Sequence, residues 1–226
     1  MNPVTVHAIL PAAGLATRMR GLPKFALPVS AEYETLLERH VRSALEVVDT
    51  VWVPTRPEHV ALVRGIVPDS RVVVIGMEKQ SMSETVLTTA ALSGADRYVL
   101  GMPDTYLLGE SPYPYLAGSS TTLALAAWPI RENQRGKLGQ LGVTNGLVTD
   151  VVDKDPRCQH DLAWGAVGFH RSFLDHVVAT EPHIGYAIPK LITTGVPVLT
   201  MSGEYYDCGT PAEYFELLRR IGLGAQ

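Results

Sequence analysis

Short runs of Val, Ile and Leu alternate with stretches of helical period through the first half of the chain, and this alternation constrains the fold more than any other feature. Val4 to Leu10 reads as a buried strand. Ser30 then precedes "AEYETLLERHVRSALEVV", in which Leu36, Leu37, Val41, Ala44, Leu45 and Val48 recur on one helical face, so Ser30 is expected to cap a long amphipathic helix. "TVWVP" reads as strand, "RPEHVALVRGIV" as helix, "RVVVIG" as strand, "SETVLTTAALSG" as a helix ended by Gly94, and "DRYVLGMPD" as a strand with a polar tip. Strands separated by helices cannot pair as hairpins. The pattern therefore predicts an α/β fold with a mostly parallel sheet covered by helices.

The second half changes character. "TTLALAAW" and "GAVGFH" read as strands, while "GQLGVTNGLVTDVVD" places Asn145-Gly146 between two apolar runs, the strongest short hairpin signal in the chain. Helical segments are expected near Arg171 to Thr180 and Pro211 to Ile221. With 226 residues and no internal repeat or low-complexity linker, a single domain 1–226 with a small inserted hairpin is expected. A net charge of −4 and a pI near 6.0 argue against a nucleic-acid polymer as partner. No basic run precedes the first apolar stretch and no window approaches a membrane span, so a cytoplasmic protein without a membrane partner is expected. Cys158 and Cys208 lack metal-type spacing and read as reduced, non-catalytic thiols. A homo-oligomer is left open.

The first strand runs directly into "LPAAGLATRMRGLPKFALPV", Leu10 to Val29. Ligands gather at the carboxyl ends of parallel strands, and a loop of Ala, Gly and Thr lets backbone N–H groups come close to phosphate oxygens. Arg18 and Lys24 add positive charge, and Pro23 restricts the backbone just before the lysine. Neither G-x-x-x-x-G-K-[ST] nor G-x-G-x-x-G is present.

This stretch resembles the signature of the sugar-1-phosphate nucleotidyltransferases, a strand followed by L-x-[AG]-G-x-G-T-R-[LM] and then P-K-x-[LM]-x-P-[VI]. Four further segments follow in the family's order: "GMPDT", "LGVTNGLVTDVVDKDP", "WGAVGFH" and "GEYYDCGTPAEYFEL". The resemblance spans most of the chain and implies a Rossmann-like, GT-A-like nucleotidyltransferase fold, its nucleotide-binding part at about 1–110 and its acceptor-binding part at about 120–210. It implies that Ala12, Ala13, Gly14 and Thr17 lie against the nucleotide and its phosphates, with Arg18 and Lys24 on the phosphates and Gln80 reading the base edge. Asp104 and Asp207 would hold Mg²⁺, which prefers carboxylate and phosphate oxygens. Gly142, Asp153, Lys154 and Gly168 match positions that line the acceptor pocket.

The chemistry so implied is in-line attack of an acceptor phosphate on the α-phosphorus of a nucleoside triphosphate, with pyrophosphate leaving. An ionised acceptor phosphate needs no general base. The chain departs from the pattern at Ala16, Asp153, Asp155 and the Gly165-Ala166 pair, mostly on the acceptor side, so glucose 1-phosphate is expected to be a secondary substrate behind a modified sugar or sugar-like phosphate. A phosphocholine or phosphonate cytidylyltransferase is the nearest alternative. A glycosyltransferase fits Asp153-Lys154-Asp155 as a D-x-D, but that triplet follows the hairpin instead of ending the central strand. A non-catalytic nucleotide-binding module would not require Arg18, Lys24, Asp104 and Asp207 together.

Overall fold

The structure is a computed structural model and describes residues 4–78 and 80–224. Its central sheet runs in the order β10-β6-β9-β4-β1-β2-β3, comprising β1 (Val6–Ile9), β2 (Thr50–Thr55), β3 (Val72–Gly76), β4 (Arg97–Leu100), β6 (Leu123–Pro129), β9 (Leu162–His170) and β10 (Val198–Thr200). β3, β2, β1 and β4 pair in parallel, whereas β9 runs antiparallel between β4 and β6. The hairpin of β7 (Gly139–Thr144) and β8 (Leu147–Asp153) branches from the sheet through β7 and the start of β9. Asn145 and Gly146 at its tip have φ of 52° and 74°, the positive pair that a tight hairpin turn needs. The expected mixed, mostly parallel sheet is thus present. One apolar cluster packs Leu37, Val41 and Ala44 of α1 (Leu36–Leu45) beneath it. A second holds Val86 and Ala90 of α3 (Met82–Ser93) with Ile188 on the other side.

Several local expectations are corrected. Thr35, not Ser30, caps α1: its hydroxyl accepts from Glu38 N–H and the Glu38 carboxylate accepts from Thr35 N–H at 2.7 Å, a reciprocal capping box. The Ser30 hydroxyl instead accepts from the N–H groups of Glu32 and Glu34, folding the preceding turn. The helix expected from Arg171 to Thr180 is a 3-10 segment ending at His176, and a second 3-10 segment, Ile184–Thr194, contains Pro189. α2 (Val60–Ile66) and α5 (Pro211–Arg220) agree with the sequence reading, and Gly94 ends α3 in the left-handed conformation.

A two-stranded ladder absent from the sequence reading, β5 (Thr105–Leu108) against β11 (Glu204–Asp207), lies outside the main sheet. It pairs Asp207 with Thr105, and Cys208 N–H donates to the Asp104 carbonyl at 3.2 Å. Two aspartates far apart in the chain become neighbours by backbone pairing.

Candidate active site

The carboxyl ends of β1 and β4 are adjacent because these strands pair in parallel. The loop after β1 starts from a fixed point: Ala12 N–H donates to the Pro54 carbonyl at 2.8 Å, and the Thr55 hydroxyl donates to the Ala12 carbonyl at 3.1 Å. The chain then turns through Ala16, φ 48°, into one 3-10 turn, Thr17–Met19, and leaves through Arg20, φ 54°. Ala16 and Met19 are buried with Tyr206, Cys208 and Leu217, so the loop is docked on β11 and α5. This burial offsets the cost of a non-glycine residue in the left-handed region.

Lys24 begins a second 3-10 turn anchored by the buried Phe25. Its Nζ donates to Asp104 Oδ2 at 2.9 Å, with only 16% of the lysine side chain exposed. On the same rim, burial first and the Asp104 carboxylate second push Asp207 up to about 6, while Lys24 opposes the shift. Two carboxylates forced together in this way form a hard-oxygen donor set suited to Mg²⁺, with phosphate oxygens and water to complete the shell. Among the described residues no cluster of three or more His, Cys, Asp or Glu forms a metal-binding group.

A buried histidine fixes β5, the strand that follows Asp104 and pairs with β11. His40 Nε2 lies 2.9 Å from the Thr105 carbonyl, which can only accept, so the ring proton sits on Nε2. Nδ1 then accepts from Tyr113 Oη at 2.6 Å. Burial pushes His40 down to about 4 and pushes Tyr113 up.

Two hollows meet at the rim. The first, of about 200 Å³, is lined by Ala12, Gly14, Thr17, Arg18, Lys24 and Asp104, among others. The second, of about 420 Å³, again includes Arg18, Lys24 and Asp104 and adds Asp207, Asp153 and Lys154. Because β9 is antiparallel to β4, its first residues reach this end of the sheet, bringing Trp164 and Gly165 into the wall. Near-neighbour pairing of Gly139 with Asp153 brings in the hairpin base.

Not every expected residue is there. Ala13 and Gln80 line neither hollow; the Gln80 amide donates to Thr85 Oγ1 at 3.2 Å. Gly142 and Gly168 line neither hollow and sit against close neighbours. A Cβ at Gly168 would collide with the Leu116 carbonyl of α4 (Tyr113–Gly118), and one at Gly142 would press on His160, Asp150 and Thr149. The glycines of the second cavity are Gly136, Gly139 and Gly165. Lys137, Trp164, His183 and Tyr205 were not singled out from the sequence, though the Gly136-Lys137-Leu138-Gly139 run was a visible signal for a cation on a close-approach loop. Lys137 Nζ pairs with Glu213 at 2.9 Å.

Residues 8–199 match the family model of the MobA-like NTP transferase domain. The chain belongs to this family. It is a nucleotidyltransferase, and its fold is shared with solved structures at low identity. A protein described as a glucose-1-phosphate thymidylyltransferase from Bacillus anthracis, solved with sucrose, is 15% identical with a TM-score of 0.80, covering 96% of this chain and 95% of that one. UDP-glucose pyrophosphorylase from Acinetobacter baumannii is 20% identical with a TM-score of 0.77, covering 97% and 94%. A UDP-glucose pyrophosphorylase complexed with UDP-glucose is 18% identical with a TM-score of 0.76, covering 96% and 98%. No curated protein matches this NTP transferase in sequence. Among its described residues no helix is long and apolar enough to cross a membrane.

Proposed function

We propose that this NTP transferase joins a nucleoside triphosphate to the phosphate of a small acceptor, in the class of sugar 1-phosphates and sugar-like phosphates, releasing pyrophosphate. The observation that carries this reading is the shared edge: Arg18, Lys24 and Asp104 line both hollows, so groups held on either side meet at the same two cations. The first hollow takes the triphosphate through the backbone of the Ala12–Arg18 loop. The second takes the acceptor, with Lys154 and Lys24 toward its phosphate. Arg18 and Lys24 offset the repulsion between two anions and hold them in line. Bound Mg²⁺, held by Asp104 and Asp207, would supply further charge neutralisation at the phosphates. No histidine is asked to move a proton, since an acceptor phosphate is already ionised at neutral pH.

The test is a pyrophosphate-release screen of the four common NTPs and dTTP, with Mg²⁺, against sugar 1-phosphates, cyclitol phosphates, phosphocholine and phosphonates. Acceptor-dependent release with at least one pair is expected. Release that is independent of every acceptor, or none with any pair, would overturn the reading.

A further inference from the structure

One of the lysines that line the second cavity is tied to a carboxylate of α5. Lys137 Nζ lies 2.9 Å from Glu213 Oε1, in the first turn of that helix. The carboxylate is the fixed partner. Glu213 Oε2 accepts from Thr210 Oγ1 at 2.8 Å, and 19% of the glutamate side chain is exposed against 51% of the lysine's. Burial pushes the Glu213 carboxyl up, but the hydrogen bonds from Lys137 and Thr210, with the Arg18 charge nearby, more than reverse this and hold it below its usual value.

The loop that carries Lys137 does not depend on this bridge. Arg131 Nη1 donates to Glu216 at 2.6 Å, Asn133 Nδ2 to the same carboxylate at 3.2 Å, and Gln134 Nε2 to the Tyr205 carbonyl at 2.7 Å, so the segment is already pinned to β11 and α5. An ion pair this exposed adds little to stability. Its effect is on charge. Glu213 is among the groups that push Asp207 up, and left bare it would repel a phosphate held beside Asp207. Glu213 also has a second source of compensation. A Cβ built on Gly209 would lie 3.1 Å from Glu213 Oε2, 3.2 Å from Asp207 Oδ2 and 3.3 Å from Arg18 Nη2, so two carboxylates and a guanidinium ring this glycine. Lys137 can therefore leave without stranding a charge. Its destination is the second cavity, whose wall it shares with Arg18, Lys24 and Lys154. A phosphate dianion there offers an ammonium more charge than a carboxylate does.

We infer that Lys137 is a further phosphate-binding residue, stored on Glu213 and passed to a phosphate oxygen of the acceptor as it enters, while Arg18 and Thr210 keep Glu213 compensated. This inference rests on the nucleotidyl-transfer reading. One ion pair is exchanged for another. Gly136, at φ 71°, turns the loop so closely against Pro156 that a Cβ there would lie 2.9 Å from the proline ring, which keeps the neighbouring lysine backbone in place while its flexible four-carbon stem swings.

Calorimetric binding of methyl phosphate, a minimal phosphate monoester, is measured on the whole protein with Mg²⁺ present. Lys137→Met should weaken binding about tenfold, and Lys137→Arg by no more than about threefold. Glu213→Gln should tighten it about threefold, because the lysine no longer has a partner to leave. In the double variant Lys137→Met/Glu213→Gln that gain should vanish and binding should match Lys137→Met. A bridge that only held the loop would weaken binding alike in both single variants. That result, an unaffected Lys137→Met, a gain that survives in the double variant, or no binding to the unaltered protein would overturn the inference. Should Lys137→Met fail to fold, Glu213→Gln decides alone: tighter binding supports the exchange, and equal or weaker binding overturns it. NTP binding and pyrophosphate release are followed separately. Acceptor-dependent release by Lys137→Met at the wild-type acceptor KM overturns the exchange and leaves nucleotidyl transfer standing, whereas absence of NTP binding removes the parent reading.

Discussion

His40 ties α1 to the strand that follows Asp104, and its buried, neutral state makes that tie sensitive to acid. Its pKa falls from 6.5 to about 4 because burial disfavours the imidazolium. Above about pH 6.5 the ring is neutral in both folded and unfolded chains, and its contribution is fully present. As pH falls from there toward 4, the unfolded chain binds a proton that the fold does not, so stability is lost across this window. At 1.36 kcal/mol per pH unit the loss approaches about 3 kcal/mol at the lower end and is about 2 kcal/mol at pH 5. The assay is urea unfolding of the wild type and His40→Gln at pH 7 and pH 5. Glutamine keeps a donor for the Thr105 carbonyl but does not titrate, and other titrating groups cancel in the difference between the two proteins. At pH 7 the variant should be less stable by about 1–2 kcal/mol, reflecting the disturbed Tyr113 bond. At pH 5 the gap should shift in the variant's favour by about 2 kcal/mol. An unchanged gap at the two pH values would refute a neutral, buried His40.

Four further outcomes are expected. Lys24→Ala should keep its fold by circular dichroism and lower kcat about a hundredfold or more, because a preorganised charge at the shared edge is lost; wild-type turnover would make Lys24 a bystander. Asp104→Asn and Asp207→Asn should each remove most activity, and excess EDTA should do the same to the wild type; full activity in EDTA would remove both from metal binding. Lys154→Ala should raise the acceptor KM and lower kcat for every acceptor used, while an unchanged acceptor KM would place Lys154 outside the phosphate grip. Gly168→Ala should destabilise the protein by about 1–3 kcal/mol in urea unfolding, since its methyl would meet the backbone carbonyl of Leu116; an altered acceptor KM at unchanged stability would restore it to the pocket.

Where local chemistry settles conformation, the sequence was sufficient. Alternating strand and helix periods in the first half determined a mostly parallel sheet, Asn145-Gly146 determined a hairpin, and Gly94 determined a helix end. The opening loop with Arg18 and Lys24 was legible because parallel sheets present such loops at their carboxyl ends. Ser30 misled because Thr35 with Glu38 offers a two-way cap that a lone serine cannot match. Glycines were the least legible. Gly142, Gly165 and Gly168 look alike along a strand, and a Cβ at any of them would press on neighbouring atoms; only the assembled cavity wall singles out Gly165.

What tertiary structure alone decided is which distant residues share a surface. The β5–β11 ladder sets Asp207 beside Asp104, and burial first, with that carboxylate second, raises Asp207 to a pKa that neither residue's local sequence foretells. The reversal of β9 likewise carries Trp164 and Gly165 to the rim, and the 3-10 segment after Pro182 brings His183 onto Asp153. Periodicity records which face of an element is buried, because that depends on neighbours a few residues away. It carries no record of which face meets which, since that follows from strand order and direction across the whole sheet.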